Sequence, residues 1–293
     1  MAIFPWSLLD LNTIRDLSIH FSIFSQTVST FFSEVTTNAM SKPTIVFCHG
    51  AWHTPSFFDK VITILEQLDY KCVTFEFPGT GNVPPVKTLD EDIAAVRAVV
   101  LKEIDGGTDV IVSAHSWGGV PACSALDGLS KGERQRDGKP GGVVKLALVT
   151  SFILPEETSI SDVLGGPLDV WVPDADGNLK FSDDVNKEVF YHDLPSDEAD
   201  DWVSKLKVQS LATFMTKTKA AAWKKIPTSY LICENDRPIP LALQESMIAK
   251  VKEQGGEIET ERLFVSHSPH LAMPEKVAGF LRRAAGENWK GDL

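Results

Sequence analysis

Three polar residues, Ser116, Asp236 and His267, stand where apolar, β-branched runs give way to loops. A serine hydroxyl is a poor nucleophile at neutral pH. It becomes effective when a histidine within hydrogen-bond reach takes its proton and an acid orients that histidine. The run Val110-Ile111-Val112 leads into Ser113-Ala114-His115-Ser116-Trp117-Gly118-Gly119, with helix-forming sequence after it. Such a pattern predicts a strand, a sharp turn and a helix, with Ser116 exposed at the carboxyl end of the strand. The small residues let backbone pack closely on both sides of the turn. Against the pattern Gly-x-Ser-x-Gly, Ala114 is one methyl larger than the first glycine. The bland alternative for so short a match is a Ser/Gly-rich helix start.

The partners lie at strand ends downstream. The run Thr228 to Cys233 enters Glu234-Asn235-Asp236-Arg237-Pro238-Ile239-Pro240, where two prolines stiffen the loop. A last strand, Ile258 to Val265, enters Ser266-His267-Ser268-Pro269-His270. Acid and base each have a neighbouring competitor, Glu234 and His270.

These side chains need a scaffold, and the sequence predicts one from Pro43 onward. Thr44 to Cys48 reads as a buried strand, Pro55 to Leu68 as an amphipathic helix, Tyr70 to Phe77 as the next strand and residues 89 to 104 as a helix. A helix from Gly118 to Leu129 and a strand from Val143 to Thr150 follow. Polar residues 130 to 142 read as a surface loop. Strand and helix alternate, which predicts an α/β protein with a mainly parallel sheet and helices on both faces. The rhythm breaks between about 155 and 224 and then resumes, through a helix at Leu241 to Val251 and another at Pro274 to Ala285. The break reads as a largely helical cap inserted into one domain, residues 42 to 293.

Composition narrows the chemistry. The 293 residues are 43% hydrophobic and 23% charged, and 28 Lys+Arg against 40 Asp+Glu give a net charge of -12. So acidic a chain repels phosphate backbones, which argues against nucleic acid as a partner. Cys48, Cys72, Cys123 and Cys233 lack disulfide or zinc-ligand spacing and read as reduced thiols of a cytoplasmic protein. No metal-ligand cluster or phosphate loop implies a cofactor.

Residues 1 to 41 read as an extension whose sequence supports neither a secretory signal nor a membrane span, and a transit peptide would want several arginines where only Arg15 stands. Ile14, Leu17, Phe21, Phe24, Val28, Phe31 and Val35 align on one face of a helix. This helix reads as packing on the protein's own body or as a poorly ordered extension. A partner or membrane-surface contact is the weaker reading, because Lys and Arg are scarce on the opposite face. A third reading makes Met40 the working start.

Taken together, Phe47-Cys48-His49-Gly50-Ala51-Trp52, Ala114-His115-Ser116-Trp117-Gly118-Gly119, Tyr230-Leu231-Ile232-Cys233-Glu234-Asn235-Asp236 and Ser266-His267-Ser268-Pro269 resemble an α/β-hydrolase. The similarity runs from Pro43 to about Ala285, and the branch is that of small esterases, including plant methyl-ester esterases and hydroxynitrile lyases. The order Ser, Asp, His is the order of that fold. The resemblance places the base at His267 and the acid at Asp236. It implies an oxyanion hole from the backbone N–H groups of Trp117 and of Ala51, or of Trp52 if the loop is rotated by one residue. His49 would hold that loop, His53 and His115 would line the cleft, and His270 would line the pocket or pack.

The implied activity is hydrolysis of a carboxylic ester or lactone of a small, largely apolar molecule through an acyl-enzyme. Cyanohydrin cleavage is disfavoured by Ser268, where hydroxynitrile lyases of this branch usually carry lysine after the histidine; a polyketide-tailoring hydrolase and a C–C lyase on the same triad stand as alternatives. Epoxide and haloalkane hydrolases of the fold use an aspartate nucleophile, against Ser116. A ligand receptor on the same fold is the non-catalytic alternative. Substrate choice would lie in the cap, where Leu164, Leu168, Val170, Trp171, Phe190, Tyr191, Trp202, Leu211, Phe214 and Trp223 supply apolar surface, most of it for packing and a minority for the pocket.

Overall fold

A computed structural model describes residues 42–291. The expected helical face between Ile14 and Val35, and the alternative start at Met40, lie outside the described residues. From Thr44 the elements are β1 (Thr44–Cys48), α1 (Asp59–Glu66), β2 (Cys72–Thr74), α2 (Asp90–Asp105), β3 (Asp109–His115), α3 (Gly119–Ala125), α4 (Lys131–Arg136) and β4 (Gly142–Val149). The chain then leaves the sheet and forms α5 (Ile160–Val163), β5 (Asn178–Leu179), α6 (Asp183–Phe190), α7 (Ser196–Lys205), β6 (Gln209–Ser210) and α8 (Ala212–Met215). It returns through β7 (Thr228–Cys233), α9 (Leu241–Glu253), β8 (Ile258–Leu263), α10 (Pro269–Ala272) and α11 (Pro274–Ala284).

Six strands form one parallel sheet in the order β2-β1-β3-β4-β7-β8. Every residue of β1 and β7 is buried, as expected of central strands covered on both faces. Registers such as Cys48 opposite Ala114 and His115 opposite Val149 bring the carboxyl ends of β1, β3 and β4 side by side. The loops after those strands therefore share one rim, the usual location of ligands in open α/β sheets.

The helix expected from Gly118 to Leu129 ends at Ala125, and two further elements differ from the sequence expectation in ways that packing explains. The strand expected over Tyr70 to Phe77 is reduced to Cys72–Thr74, because β2 is an edge strand with only β1 to pair with. Within the expected surface loop 130 to 142 lies a helix, α4. Ser130 caps it, its hydroxyl oxygen accepting the Glu133 N–H at 3.2 Å. The Arg134 side chain is buried, donating to Asp105 at 2.7 Å and to the Pro140 and Gly141 carbonyls. A buried arginine bonded through Nε and Nη2 pins the segment down, something its polar composition conceals.

Between β4 and β7, the pair β5-β6 is antiparallel and its second strand also bridges Thr80 through Gln209. This covering layer thus includes a small sheet as well as helices. Among the described residues no helix is long and apolar enough to cross a membrane. Cys48, Cys123 and Cys233 are buried, and Cys72 is partly so.

Candidate active site

Ser116 follows the last residue of β3 with φ of 55°, the left-handed region that an L-residue adopts only when its surroundings enforce it. The enforcement is visible. Its carbonyl accepts the Phe152 N–H at 3.0 Å and the Ser151 hydroxyl at 2.7 Å, both from the chain after β4. A Cβ on Gly118 would stand 2.5 Å from the His49 carbonyl oxygen and 2.7 Å from that of Cys48, so the turn passes against β1 with no room for a side chain. The extra methyl of Ala114 is buried within β3 and needs no space at the turn.

His267 Nε2 lies 2.9 Å from Ser116 Oγ, and His267 Nδ1 lies 2.6 Å from Asp236 Oδ2. Because Nδ1 donates to the carboxylate, Nε2 is left bare to accept the serine proton. The carboxylate is held on two further sides, by the Thr150 hydroxyl at Oδ2 and by the Ile239 N–H at Oδ1, 2.7 Å away. All three side chains are nearly buried, and Ser116 retains 9% exposure. Glu234, the competing acid, points elsewhere and pairs with Arg262 at 3.3 Å. Sequence reasoning missed Thr150, which stands one residue beyond β4 and carried no motif.

The loop after β1 lies beside the serine. His49 donates Nδ1–H to the Gly50 carbonyl at 2.9 Å and accepts the Phe77 N–H at Nε2, 3.3 Å away, so it braces the loop as expected. Burial lowers its pKa to about 4 and keeps the ring neutral. Trp52 is wholly engaged. Its N–H donates to Gln209 Oε1 at 3.3 Å, its carbonyl accepts the Lys207 N–H at 2.8 Å, and its indole N–H donates to the Leu179 carbonyl at 3.0 Å. Among the described residues the Ala51 N–H meets no acceptor.

His53 and His115 do not line the cleft. Both are buried behind His267 in an aromatic layer with Phe57, Phe58 and His270. His115 is the last residue of β3, and its ring turns inward to donate Nε2–H to the His267 carbonyl at 2.8 Å. Burial, then the neighbouring histidines, hold the His115 pKa well below its ordinary value, and burial takes His53 and His270 to about 3. Burial thus favours the neutral form of all three rings.

A cavity of about 270 Å³ opens over Ser116. Ala51, Trp52 and Trp117 form its floor, and Phe181, Val189 and Phe190 are part of its wall. Of the ten cap residues singled out in the sequence, six reach it: Leu164, Leu168, Val170, Trp171, Phe190 and Phe214. The expected minority is therefore a majority. Arg237 is the one charged residue among the lining side chains, and it is paired with Glu188. Among the described residues no three His, Cys, Asp or Glu side chains are placed to share a metal ion.

The parallel sheet with helices on both faces is an α/β architecture, and comparison with known proteins identifies the family. Residues 45–280 match the model of the alpha/beta hydrolase family, and the chain belongs to that family. It is 32% identical over 251 residues to the alpha/beta hydrolase nvfD of Aspergillus novofumigatus, covering 85% of this chain and 98% of that protein. It is 27% identical over 258 residues to the pyrethroid hydrolase of Sphingobium wenxiniae, covering 82% and 86%. Among solved structures, a pyrethroid hydrolase from Sphingobium faniae superposes with a TM-score of 0.66 at 22% identity, over 84% of this chain and 98% of that one. A methylesterase from Arabidopsis gives 0.64 at 18% identity, over 83% and 99%.

Proposed function

We propose that the protein hydrolyses carboxylic esters, lactones included, of small and largely apolar molecules. The observation that carries this reading is the line from Ser116 Oγ through His267 to Asp236, opening into an apolar cavity. A relative named a methylesterase and another named a pyrethroid hydrolase support hydrolysis of an ester bond.

In the first half-reaction His267 Nε2 takes the Ser116 proton as Oγ attacks the ester carbonyl carbon. Asp236 keeps the ring in the required tautomer and stabilises its cationic form, while Thr150 and the Ile239 N–H keep the carboxylate in place. The developing oxyanion sits between the N–H groups of Ala51 and Trp117. The Trp52 N–H is occupied by Gln209, which favours Ala51 as the donor from this loop. Each such donor is worth about 3 to 4 kcal/mol in comparable enzymes. His267 then protonates the departing alkoxide; water, deprotonated by the same histidine, attacks the acyl carbon, and the histidine returns that proton to Ser116 Oγ as the acid leaves.

Labelling with a fluorophosphonate and turnover of a panel of p-nitrophenyl esters and lactones test this. The wild-type chain is expected to react at Ser116 and to hydrolyse at least one member, and Ser116→Ala to do neither while keeping its fold. Retained turnover in Ser116→Ala would sink the assignment, and ligand binding with no turnover in the wild type would favour the receptor reading.

A further inference from the structure

Helix α6 ends behind the cavity, and the chain turns through Tyr191-His192-Asp193. Each of these consecutive residues reaches a different loop of the proposed catalytic site. Tyr191, fully buried, donates its hydroxyl to His53 Nε2 at 2.9 Å. His53 in turn donates Nδ1–H to the Ala51 carbonyl at 2.8 Å. His192 Nε2 accepts an amide hydrogen of Asn235 at 3.2 Å, and Asn235 immediately precedes Asp236. Asp193 Oδ2 accepts the Ser266 N–H at 2.8 Å, and Ser266 immediately precedes His267. None of the three corner residues is among those lining the cavity.

We infer that Tyr191, His192 and Asp193 are positioning residues for ester hydrolysis, acting through His53, Asn235 and Ser266 on the oxyanion loop, the acid and the base. The inference rests on the hydrolase reading above. The sheet fixes where each loop leaves its strand, but the three loops then run over the rim as separate segments. Their relative placement matters, because misplacing a reacting group by about 1 Å costs on the order of a hundredfold in rate. A corner that bonds to all three supplies a common reference. The same helix that ends in the corner presents Val185, Val189 and Phe190 to the cavity, and the Phe190 ring lies 5.7 Å from that of His267. The wall that receives the substrate and the anchor that sets the loops are thus one element.

The test uses Tyr191→Phe, His192→Ala, Asp193→Ala and Asp193→Asn in the full chain. Each is assayed for kcat and KM on the p-nitrophenyl ester that the wild type turns over fastest, and for the rate of fluorophosphonate labelling at Ser116. Tyr191→Phe, His192→Ala and Asp193→Ala are each expected to lower kcat and the labelling rate about tenfold, with KM within about twofold. Asp193→Asn keeps an acceptor oxygen for the Ser266 N–H and is expected to recover most of that loss. A purely structural role would lower Tm and leave the labelling rate of the folded protein unchanged. That result overturns the inference, as would a loss confined to KM, or Asp193→Asn as slow as Asp193→Ala. If Tyr191→Phe does not fold, the Asp193 pair decides. A wild-type chain that is neither labelled nor active would overturn the hydrolase reading itself, an outcome distinct from unaffected variants of an active enzyme.

Discussion

The His115 ring donates its Nε2–H to the main-chain carbonyl of His267 at 2.8 Å, so the residue before the proposed nucleophile holds the backbone of the proposed base. The same ring stacks on Phe57, with centroids 4.8 Å apart. His115→Phe keeps an aromatic ring, slightly larger, in the layer and removes the donor together with the unpartnered Nδ1, leaving the buried His267 carbonyl without its partner. The expected result is a kcat lower by about tenfold on any ester the wild type hydrolyses, with KM nearly unchanged. Unaltered steady-state kinetics would show that the His267 backbone needs no support from below.

Gly118 marks where the turn after β3 presses on β1. Gly118→Ala would put a methyl against the carbonyl oxygens of His49 and Cys48, and neither backbone segment can move without opening the sheet. A loss of roughly 2 to 3 kcal/mol is expected from such overpacking, read as a lower urea midpoint. Gly132→Ala in α4 is the control. A Cβ there meets nothing within 4 Å, and exchange of glycine for alanine in a helix is worth up to about 1 kcal/mol in the stabilising direction. Equal effects at the two positions would contradict the close approach at Gly118.

Asp92 of α2 is fully buried, and one carboxyl oxygen accepts the Gly79 N–H at 2.7 Å while the other has no partner among the described residues. Burial is the main cause that raises its pKa from 3.8 to about 7. The folded state therefore holds this proton more tightly than the unfolded chain. The associated stability is fully present below about pH 4 and is lost as pH rises through about 7, at a cost on the order of 4 kcal/mol when complete. Asp92→Asn cannot ionise and lacks this slope. Tm measured at pH 5 and pH 8 is expected to fall further in the wild type than in Asp92→Asn, and parallel curves would rule out a perturbed Asp92.

The parts legible in the sequence were those whose signal is local. β1, β4 and β7 announce themselves as apolar runs because both faces are covered. Ser116, Asp236 and His267 stood out because each ends such a run and because a nucleophile, an acid and a base form a recognisable set. The missing parts depend on contacts between distant segments. Thr150 meets Asp236 across 86 residues, and Gln209 meets Trp52 across 157. Neither position has a motif, and the segment between β4 and β7 has no strand-helix period from which a partner could be inferred. The inward turn of His115 was illegible for a related reason: alternation along β3 assigns a face, but whether that face meets a cleft or an aromatic layer depends on Phe57 and His270, which arrive from elsewhere.

Trp171 lines the cavity over Ser116. Its side chain is 8% exposed and packs on Phe214 with centroids 5.1 Å apart. It touches none of Ser116, His267 or Asp236 in the network described above, so its influence on rate must come through the shape of the substrate it admits. Trp171→Ala enlarges the cavity, and added space favours acyl groups too long for the present wall. The ratio of kcat/KM for a long-chain p-nitrophenyl ester to that for the acetate is expected to rise about tenfold, in line with the 1 to 3 kcal/mol that a methylene-sized difference in an apolar pocket commands. The rate of fluorophosphonate labelling with a small alkyl probe should change little, since the nucleophile and its partners are untouched. An equal loss on both esters would indicate a collapsed site, and an unchanged ratio would place the acyl group somewhere other than against Trp171.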